Sequence, residues 1–327
     1  MRAFIAGLLF SAVSLAMAAT GQAQTVWEMP TEYPATAIPG EGVATFTALV
    51  NDRAGGRLTI KPSFDAARGI KSAAMIAAVQ KGDVAAGDAF AGALAAVDPL
   101  FGLSSLPFLA TSIDQARRLT DLARPAYDRK LATLGQRILY TTPWPASGIW
   151  SKEALTAPTA LAGLPIRTYD ATSTAVLNAA GAKASNLSFA DAMPKVKDGS
   201  VTAVLSSGDG GAGRNLWDFL PHFAEVNYAL PISIATVNLA AYEALPADLR
   251  AIVDAAAADA EKRQWAAIRT RLDENYARMR ANKVIILTDV PPAVSQALAE
   301  AGKGAIDEWR AKAGAEGAAV LDAYRRP

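Results

Sequence analysis

Short apolar runs alternate with helical patterns through the middle of the chain, and this alternation limits the possible folds more than any other feature. Strands separated by helices of this length are typical of α/β domains with parallel sheets. The predicted strands are 25–29, 58–62, 84–87, 138–141, 164–168, 201–205 and 224–228. The predicted helices are 40–54, 70–81, 113–134, 172–180 and 189–198.

Two features predict a two-lobed arrangement of these elements. The segment 143–145 reads Pro-Trp-Pro and interrupts the alternation, which favours two sheets over one. From Pro246 to about Lys283, apolar residues recur every three or four positions and indicate one helix of roughly 55 Å, longer than one small lobe. We therefore predict an α/β fold with two lobes, a hinge of crossing strands near Pro143 and Pro231, and a long lobe-spanning helix. The predicted lobes are 24–143 with 233–268, and 144–232 with 269–327.

The first residues of the chain have the pattern of an export signal. A basic end is followed by an apolar run over 3–19 and by the small residues Gly21 and Ala23. This pattern predicts that residues 1–23 are a signal peptide and that the rest of the chain is exported. The alternative is a retained membrane anchor, which the shortness of the run and its Ala and Ser content disfavour.

Composition excludes several classes of site. The chain has no cysteine, so disulfide scaffolds, thiol nucleophiles and cysteine-ligated metals are excluded. Lys and Arg number 32 against 31 Asp and Glu, so the charge does not indicate a nucleic-acid partner. His222 is the only histidine, no nucleophile motif surrounds it, and no acidic cluster has metal-ligand spacing. We expect no catalytic residue, no metal and no cofactor; a Ser-His-Asp hydrolase is the alternative.

A glycine-rich segment suggests a nucleotide site at first sight. Residues 208–213 read Gly-Asp-Gly-Gly-Ala-Gly and follow the predicted strand 201–205. The dinucleotide pattern requires a longer helix after the glycines and an acidic residue at the end of a second strand, and Pro221 shortens that helix. We predict a flexible loop at the carboxyl end of a strand, with a nucleotide site as the alternative.

Arg167 is the candidate binding residue with the most specific chemistry. It ends a predicted strand whose other residues are apolar, at the edge where open α/β sheets place their ligands. Its planar guanidinium can bind a carboxylate through two parallel hydrogen bonds. The residues alone leave two interpretations open: a carboxylate-binding group, or a structural salt bridge with Asp170 or another acid.

The segment 162–182, with its continuation in 189–192 and 197–203, resembles the substrate-binding proteins of tripartite ATP-independent periplasmic (TRAP) transporters. Further features occur in a similar order at 40–42, 78–84, 106–108 and 244–250. The resemblance implies a periplasmic, monomeric receptor without catalysis, which closes around an organic acid and delivers it to the membrane permease subunits. A binding protein of an ATP-driven importer is a further alternative.

The resemblance also implies candidate ligand-binding residues. In that family the residue matching Arg167 binds the ligand carboxylate, and an aromatic residue at the place of Phe189 lines the cleft. Tyr169 and Asp170 follow Arg167 where neighbouring contacts are made, and Phe90 falls at a cleft position of the first lobe. The remaining candidates are Ser206, Ser147, Glu32 and Arg68, of which Arg68 is either a cleft residue or a solvated loop residue.

Two departures from the family pattern concern the ligand. Sialic-acid binders carry a further arginine in the segment 144–150, which has no basic residue here. Ser206 and Ser207 stand where many members have an asparagine, and Trp144, Trp150 and Trp217 are possible aromatic lining. These features favour a small 2-oxo or 2-hydroxy acid, or an aromatic acid, with one carboxylate. A sugar acid or a dicarboxylate is the alternative.

Overall fold

The computed structural model describes residues 24–326, so the predicted signal peptide lies outside the described residues. The strands are β1 Thr25–Pro30, β2 Leu58–Ser63, β3 Ala86–Phe90, β4 Gln136–Pro143, β5 Ser147–Ser151, β6 Pro165–Thr168, β7 Lys183–Asn186, β8 Ala203–Ser207, β9 His222–Ala224, β10 Ile232–Asn238 and β11 Ile285–Leu287. The α-helices are α1 Ile38–Arg53, α2 Ser72–Lys81, α3 Ile113–Thr133, α4 Ala171–Ala179, α5 Phe189–Lys197, α6 Gly208–Ala212, α7 Leu239–Glu243, α8 Ala247–Ala281, α9 Pro292–Ala301 and α10 Ala305–Arg325.

Lobe I is built on two small sheets. Strand β1 pairs in parallel with β2, and β10 pairs antiparallel with both β3 and β4. A bridge between Thr31 and Asp88 joins the two sheets. The apolar side chains of lobe I form two separate clusters. One lies around Phe46 and Tyr140, and the other lies around Phe101 and Tyr127. Because residues two apart in a strand share a face, one strand contributes to both clusters.

Lobe II is built on a six-stranded sheet with the order β11-β9-β5-β8-β6-β7. Strand β6 is parallel to β7 and β8, while β5 is antiparallel to β8 and β9. The prediction of parallel sheets is therefore correct for part of each lobe only. The antiparallel strands β5 and β10, which the sequence pattern did not predict, both follow the crossings between the lobes.

The two crossings run side by side and bond to each other. The Trp144 amide donates to the Pro231 carbonyl at 2.9 Å. The Ser147 amide donates to the Ala229 carbonyl at 2.8 Å, and its carbonyl accepts from the Tyr228 amide at 2.9 Å. The crossing strands lie at the predicted positions and form a short two-stranded hinge.

Helix α8 contacts both lobes, as its length predicts. It packs against α1 and β4 of lobe I and against α6 and β11 of lobe II. Its buried residues extend from Leu249 to Met279, and its 35 residues correspond to about 53 Å at 1.5 Å per residue. Among residues 24–326, none of the helices combines the length and the apolar character needed to cross a bilayer.

The C-terminal helix α10 packs on lobe I. It contacts α3 and a 3-10 helix at Pro99–Ser105, and its Trp309 and Leu321 belong to a lobe I cluster. The predicted assignment of 269–327 to lobe II differs from this packing, because α10 lies against α3 and the 3-10 helix of lobe I. Assigning α10 to lobe I and α9 to lobe II is our proposal for the boundary.

Two local predictions are wrong. Residues 208–212 form the buried helix α6 rather than a flexible loop. A Cβ on Gly211 would lie 2.2 Å from the Trp150 ring, so glycine here permits close packing rather than flexibility. The strand predicted at 224–228 lies at His222–Ala224 instead, so only Ala224 of the predicted range is in it, because the chain beyond it enters the hinge.

Candidate functional site

A small cavity lies between the lobes beside the hinge. Its volume is about 30 Å³. Its walls come from the segment after β1 and the end of β3 in lobe I, from the ends of β6 and β8 and the start of α5 in lobe II, and from the crossings. The lining residues are Tyr33, Phe90, Trp144, Ser147, Arg167, Tyr169, Phe189, Ser206, Ser207 and Pro231.

Arg167 is held in place by backbone carbonyls at the edge of the lobe II sheet. Its Nε donates to the Leu187 carbonyl at 2.8 Å, and its Nη1 donates to the Leu205 carbonyl at 3.3 Å. These hydrogen bonds use two of the five guanidinium N–H groups and fix the orientation of the planar guanidinium group. Arg167 is 4% exposed, yet none of the ion pairs among residues 24–326 includes it. The interpretation as a salt bridge with Asp170 is therefore wrong.

The electrostatics of Arg167 follow from this burial. Desolvation lowers the pKa of the guanidinium below its ordinary value, and the nearby Tyr33 and Glu32 oppose the shift. Guanidinium groups remain protonated even when buried. A buried cation without a counter-charge costs free energy, and a bound anion would offset that cost.

Aromatic rings form most of the remaining wall, and one of them lies against the guanidinium. The Cζ atom of Arg167 lies 4.4 Å from the centre of the Phe189 ring. The Phe90 and Tyr169 rings meet edge to face with their centres 5.1 Å apart, and the Tyr33 and Trp144 rings do so at 4.8 Å. The cavity therefore has one charged end and a largely apolar body.

Hydroxyl groups supply the other polar atoms of the cavity. The Tyr169 Oη donates to the Ser147 Oγ at 3.2 Å, and the Ser207 Oγ accepts from the Gly210 amide at 3.1 Å as the cap of α6. A Cβ on Gly210 would lie 2.4 Å from the Ser206 Oγ. The glycine-rich segment thus lets α6 approach the serines of β8 closely.

The structure brings six of the nine predicted binding residues around this cavity. The other three, Asp170, Glu32 and Arg68, do not line it. The Asp170 Oδ1 accepts from the Ser173 amide at 2.7 Å as the cap of α4. Both Glu32 carboxylate oxygens accept backbone N–H groups. Arg68 pairs with Glu28 at the surface, with 43% of its side chain exposed.

The aromatic lining differs from the prediction at three positions. Trp144 lines the cavity, whereas Trp150 is fully buried in lobe II and Trp217 packs at the edge of that core. Tyr33 lines the cavity and was missed. It follows the carboxyl end of β1, so the reasoning applied to Arg167 would have found it.

Other sites considered from the sequence receive no support from the geometry. The His222 Nδ1 lies 3.0 Å from the Lys152 carbonyl at the start of β9. Within the described part of the chain, no group of three or more His, Cys, Asp or Glu residues could hold a metal ion. The cavity beside the hinge is therefore the candidate site.

Comparisons with known proteins agree with this architecture. The model of the family "bacterial extracellular solute-binding protein, family 7" matches residues 30–312. The fold is similar to an extracytoplasmic solute receptor of Bordetella pertussis that binds pyroglutamic acid, with 29% identity and a TM-score of 0.88 over 92% of this chain and all of that one. No curated protein matches the chain.

Two further solved structures share the fold. A TRAP solute-binding protein from a marine metagenome, specific for pyroglutamate, is 30% identical with a TM-score of 0.87, over 92% of this chain and 99% of that one. A TRAP periplasmic solute-binding protein of Ralstonia eutropha is 22% identical with a TM-score of 0.84, over 91% of this chain and 98% of that one. The chain therefore belongs to family 7 of the bacterial extracellular solute-binding proteins and is a solute-binding protein of the TRAP type.

Proposed function

We propose that this receptor binds one compact monocarboxylate in the cavity beside the hinge, with the carboxylate on Arg167. The observation that carries the proposal is a buried guanidinium with free N–H groups and no acidic partner among residues 24–326. A carboxylate would accept those N–H groups in bidentate geometry and supply the missing charge. Tyr169, Ser147 and Ser206 would then offer hydroxyls to a second polar group of the ligand.

The charge of the cavity favours a single carboxylate. Arg167 is the only charged residue among those that line it. The second carboxylate of a dicarboxylate would enter a closed, largely apolar space without a cation, which costs several kcal/mol. The same lining offers few hydrogen-bond partners to a polyhydroxylated sugar acid.

The size of the cavity favours the smaller acids among those predicted. At about 30 Å³ the cavity is far smaller than typical small-molecule sites of about 300–1,000 Å³, so a compact acid requires the least displacement of its walls. The relatives at 29% and 30% identity bind pyroglutamate, a five-membered ring with one carboxylate. We therefore propose pyroglutamate or a 2-oxo or 2-hydroxy acid of similar size, rather than a larger aromatic acid.

The family and the hinge are the basis for a proposal on how the ligand is captured and delivered. We propose that the protein works in the periplasm, closes by rotation of the lobes about the crossings at 144–147 and 228–231, and delivers the acid unchanged to TRAP permease subunits. The closed state gains population in proportion to the difference in ligand affinity between the closed and open states.

A thermal-shift screen followed by calorimetry tests the proposed ligand class. L-pyroglutamate, pyruvate and lactate should raise the melting temperature more than succinate, malate, sialic acid or benzoate. A ligand at one hundred times its Kd stabilises the folded state by about 2.7 kcal/mol. The largest shift from a dicarboxylate or from sialic acid would contradict the proposal, and mass spectrometry of the recovered ligand would reveal any turnover.

A further inference from the structure

Glu32 occupies an unusual position between the lobes. It follows β1 of lobe I, is 3% exposed and belongs to none of the ion pairs among residues 24–326. Its Oε2 accepts from the Ser72 amide at 2.9 Å, and its Oε1 accepts from the Phe189 amide at 2.9 Å. Ser72 is the first residue of α2 in lobe I, and Phe189 is the first residue of α5 in lobe II. One carboxylate therefore joins helix N-termini from both lobes.

The physical chemistry of helix ends explains why an acid is needed here. The first amides of a helix have no partner within the helix, and the helix dipole makes a negative charge favourable beside them. The residue before α2 provides no side-chain cap. A carboxylate can accept from both amides at once, whereas a glutamine amide has only one oxygen to accept with.

The hydrogen bond from the Phe189 amide to Glu32 connects Glu32 to the cavity, because the Phe189 side chain lines that cavity. The amide of Phe189 is held by Glu32, and its ring lies 4.4 Å from the Arg167 guanidinium. Arg214 of lobe II adds a bond from its Nη2 to the Glu32 carbonyl at 2.7 Å and lies 5.1 Å from the same ring. Opening of the lobes would break both hydrogen bonds to Glu32, from the Phe189 amide and from the Arg214 side chain, whereas Phe189 and Arg167 stay together in lobe II.

We propose that Glu32 is a positioning residue, which ties the start of α5, with Phe189 in the cavity wall, to lobe I only when the lobes are closed and thereby slows the release of the ligand. The inference rests on the proposed function. Glu32 does not contact the ligand in this assignment, because both of its oxygens face backbone amides. Its bond to Phe189 exists only in the closed state, so it adds to the free-energy difference between closed and open receptor.

A neighbouring acid provides a matched control. Asp191 lies in the first turn of the same helix and also contacts the other lobe, through Lys71 at 2.6 Å. That pair is exposed, with 38% and 48% of the two side chains accessible, and exposed pairs contribute little. Glu32→Gln and Asp191→Asn thus remove the same charge at the same helix end, one buried and one exposed.

The first measurement is the dissociation rate of L-pyroglutamate by stopped flow, together with its Kd. We expect Glu32→Gln to release the ligand at least tenfold faster, with the association rate changed less than threefold, and Asp191→Asn to stay within threefold of wild type. Glu32→Asp keeps the charge, but its side chain is too short to reach both amides. Its dissociation rate should therefore lie between those of Glu32→Gln and Asp191→Asn. A lower melting temperature for Glu32→Gln with an unchanged dissociation rate would overturn the proposal.

The second measurement separates this inference from the ligand assignment. The chain has no cysteine, so spin labels at Lys81→Cys and Lys197→Cys, the exposed ends of α2 and α5, report one distance between the lobes. In the ligand-free protein, Glu32→Gln should shift the distance distribution away from the closed value, and Asp191→Asn should not. An unchanged distribution would overturn the role of Glu32 even if L-pyroglutamate binds; failure of every monocarboxylate to bind would overturn the proposed function alone.

Discussion

The cavity and the junction of α8 with the two lobes each bury one arginine, and the two residues differ in their partners. Arg271 of α8 pairs with Asp209 and Glu41, and these carboxylates outweigh desolvation, so its pKa is raised. Within residues 24–326, Arg167 donates hydrogen bonds to backbone carbonyls and forms no ion pair, and burial lowers its pKa. Burial alone therefore does not identify a binding residue. The stronger candidate is a buried charge that has no ion-pair partner among residues 24–326 and also lines a cavity, as Arg167 does.

The largest expected effect is on affinity. Replacing Arg167 with Ala or Lys should weaken L-pyroglutamate binding more than a hundredfold, because loss of one partner from a buried charged pair costs about 3–5 kcal/mol. Lysine keeps the charge but lacks the fork and the Nε bond to the Leu187 carbonyl. Calorimetry checks the loss, with the surface variant Arg68→Ala as control. An Arg167→Ala protein within threefold of wild type would refute the assignment.

The second effect concerns stability, where the two arginines should behave oppositely. Arg271→Met leaves the carboxylate of Asp209 buried without its cation and should lower the free energy of unfolding by about 3–5 kcal/mol. Arg167→Met removes an unpaired buried charge and should leave the ligand-free protein as stable as wild type or more so. Urea unfolding without ligand tests both variants. Equal destabilisation by Arg271→Met and Arg167→Met would show that the two arginines do not differ in their contribution to stability.

The third effect extends the comparison to an unpaired acid. Desolvation raises the pKa of Asp170 to about 6, although hydrogen bonds from Ser173 oppose the shift. The folded state therefore holds this proton more tightly than the unfolded state, so the contribution of Asp170 to stability is greatest at about pH 4 and below, and is lost as pH rises through about 6.

Asp170→Asn removes this dependence and retains a good helix cap. The variant should match wild type near pH 4 and exceed it at pH 7.5 by at most about 3 kcal/mol, since a pKa difference of about two corresponds to that free energy. Thermal unfolding at both pH values provides the measurement. A stability difference that is the same at both would show that Asp170 does not carry the effect.

The smallest expected effect is on affinity and concerns the Phe189 ring, which lies against the Arg167 guanidinium. Phe189→Leu keeps apolar volume but removes the aromatic face 4.4 Å from the guanidinium, which should cost about 1 kcal/mol or fivefold in affinity. Phe90→Leu is the matched variant, because its ring packs on Tyr169 instead. Calorimetry with both variants should show the larger loss for Phe189→Leu, and the reverse order would mean that Arg167 gains little from the ring.

The sequence pattern predicted several elements closely, because their patterns are local. Helix α8 was expected at 246–283 and occupies 247–281, since apolar residues every three or four positions report one buried face. Arg167 was expected at the carboxyl end of a strand and lies in β6 at the cavity. The same local reasoning failed at 208–213, where packing against Trp150, not flexibility, requires glycine.

The sequence by itself therefore determined the two-lobed α/β architecture, the long helix and the residue that carries the charge of the cavity. Tertiary structure alone decided the partner of each charged group. Within the described part of the chain it left Arg167 without an ion pair, paired Arg68 with Glu28, and placed Glu32 between two helix ends. The physical reason is that periodicity along the chain reports which face is buried, whereas a counter-charge comes from residues distant in sequence that only the folded chain brings together.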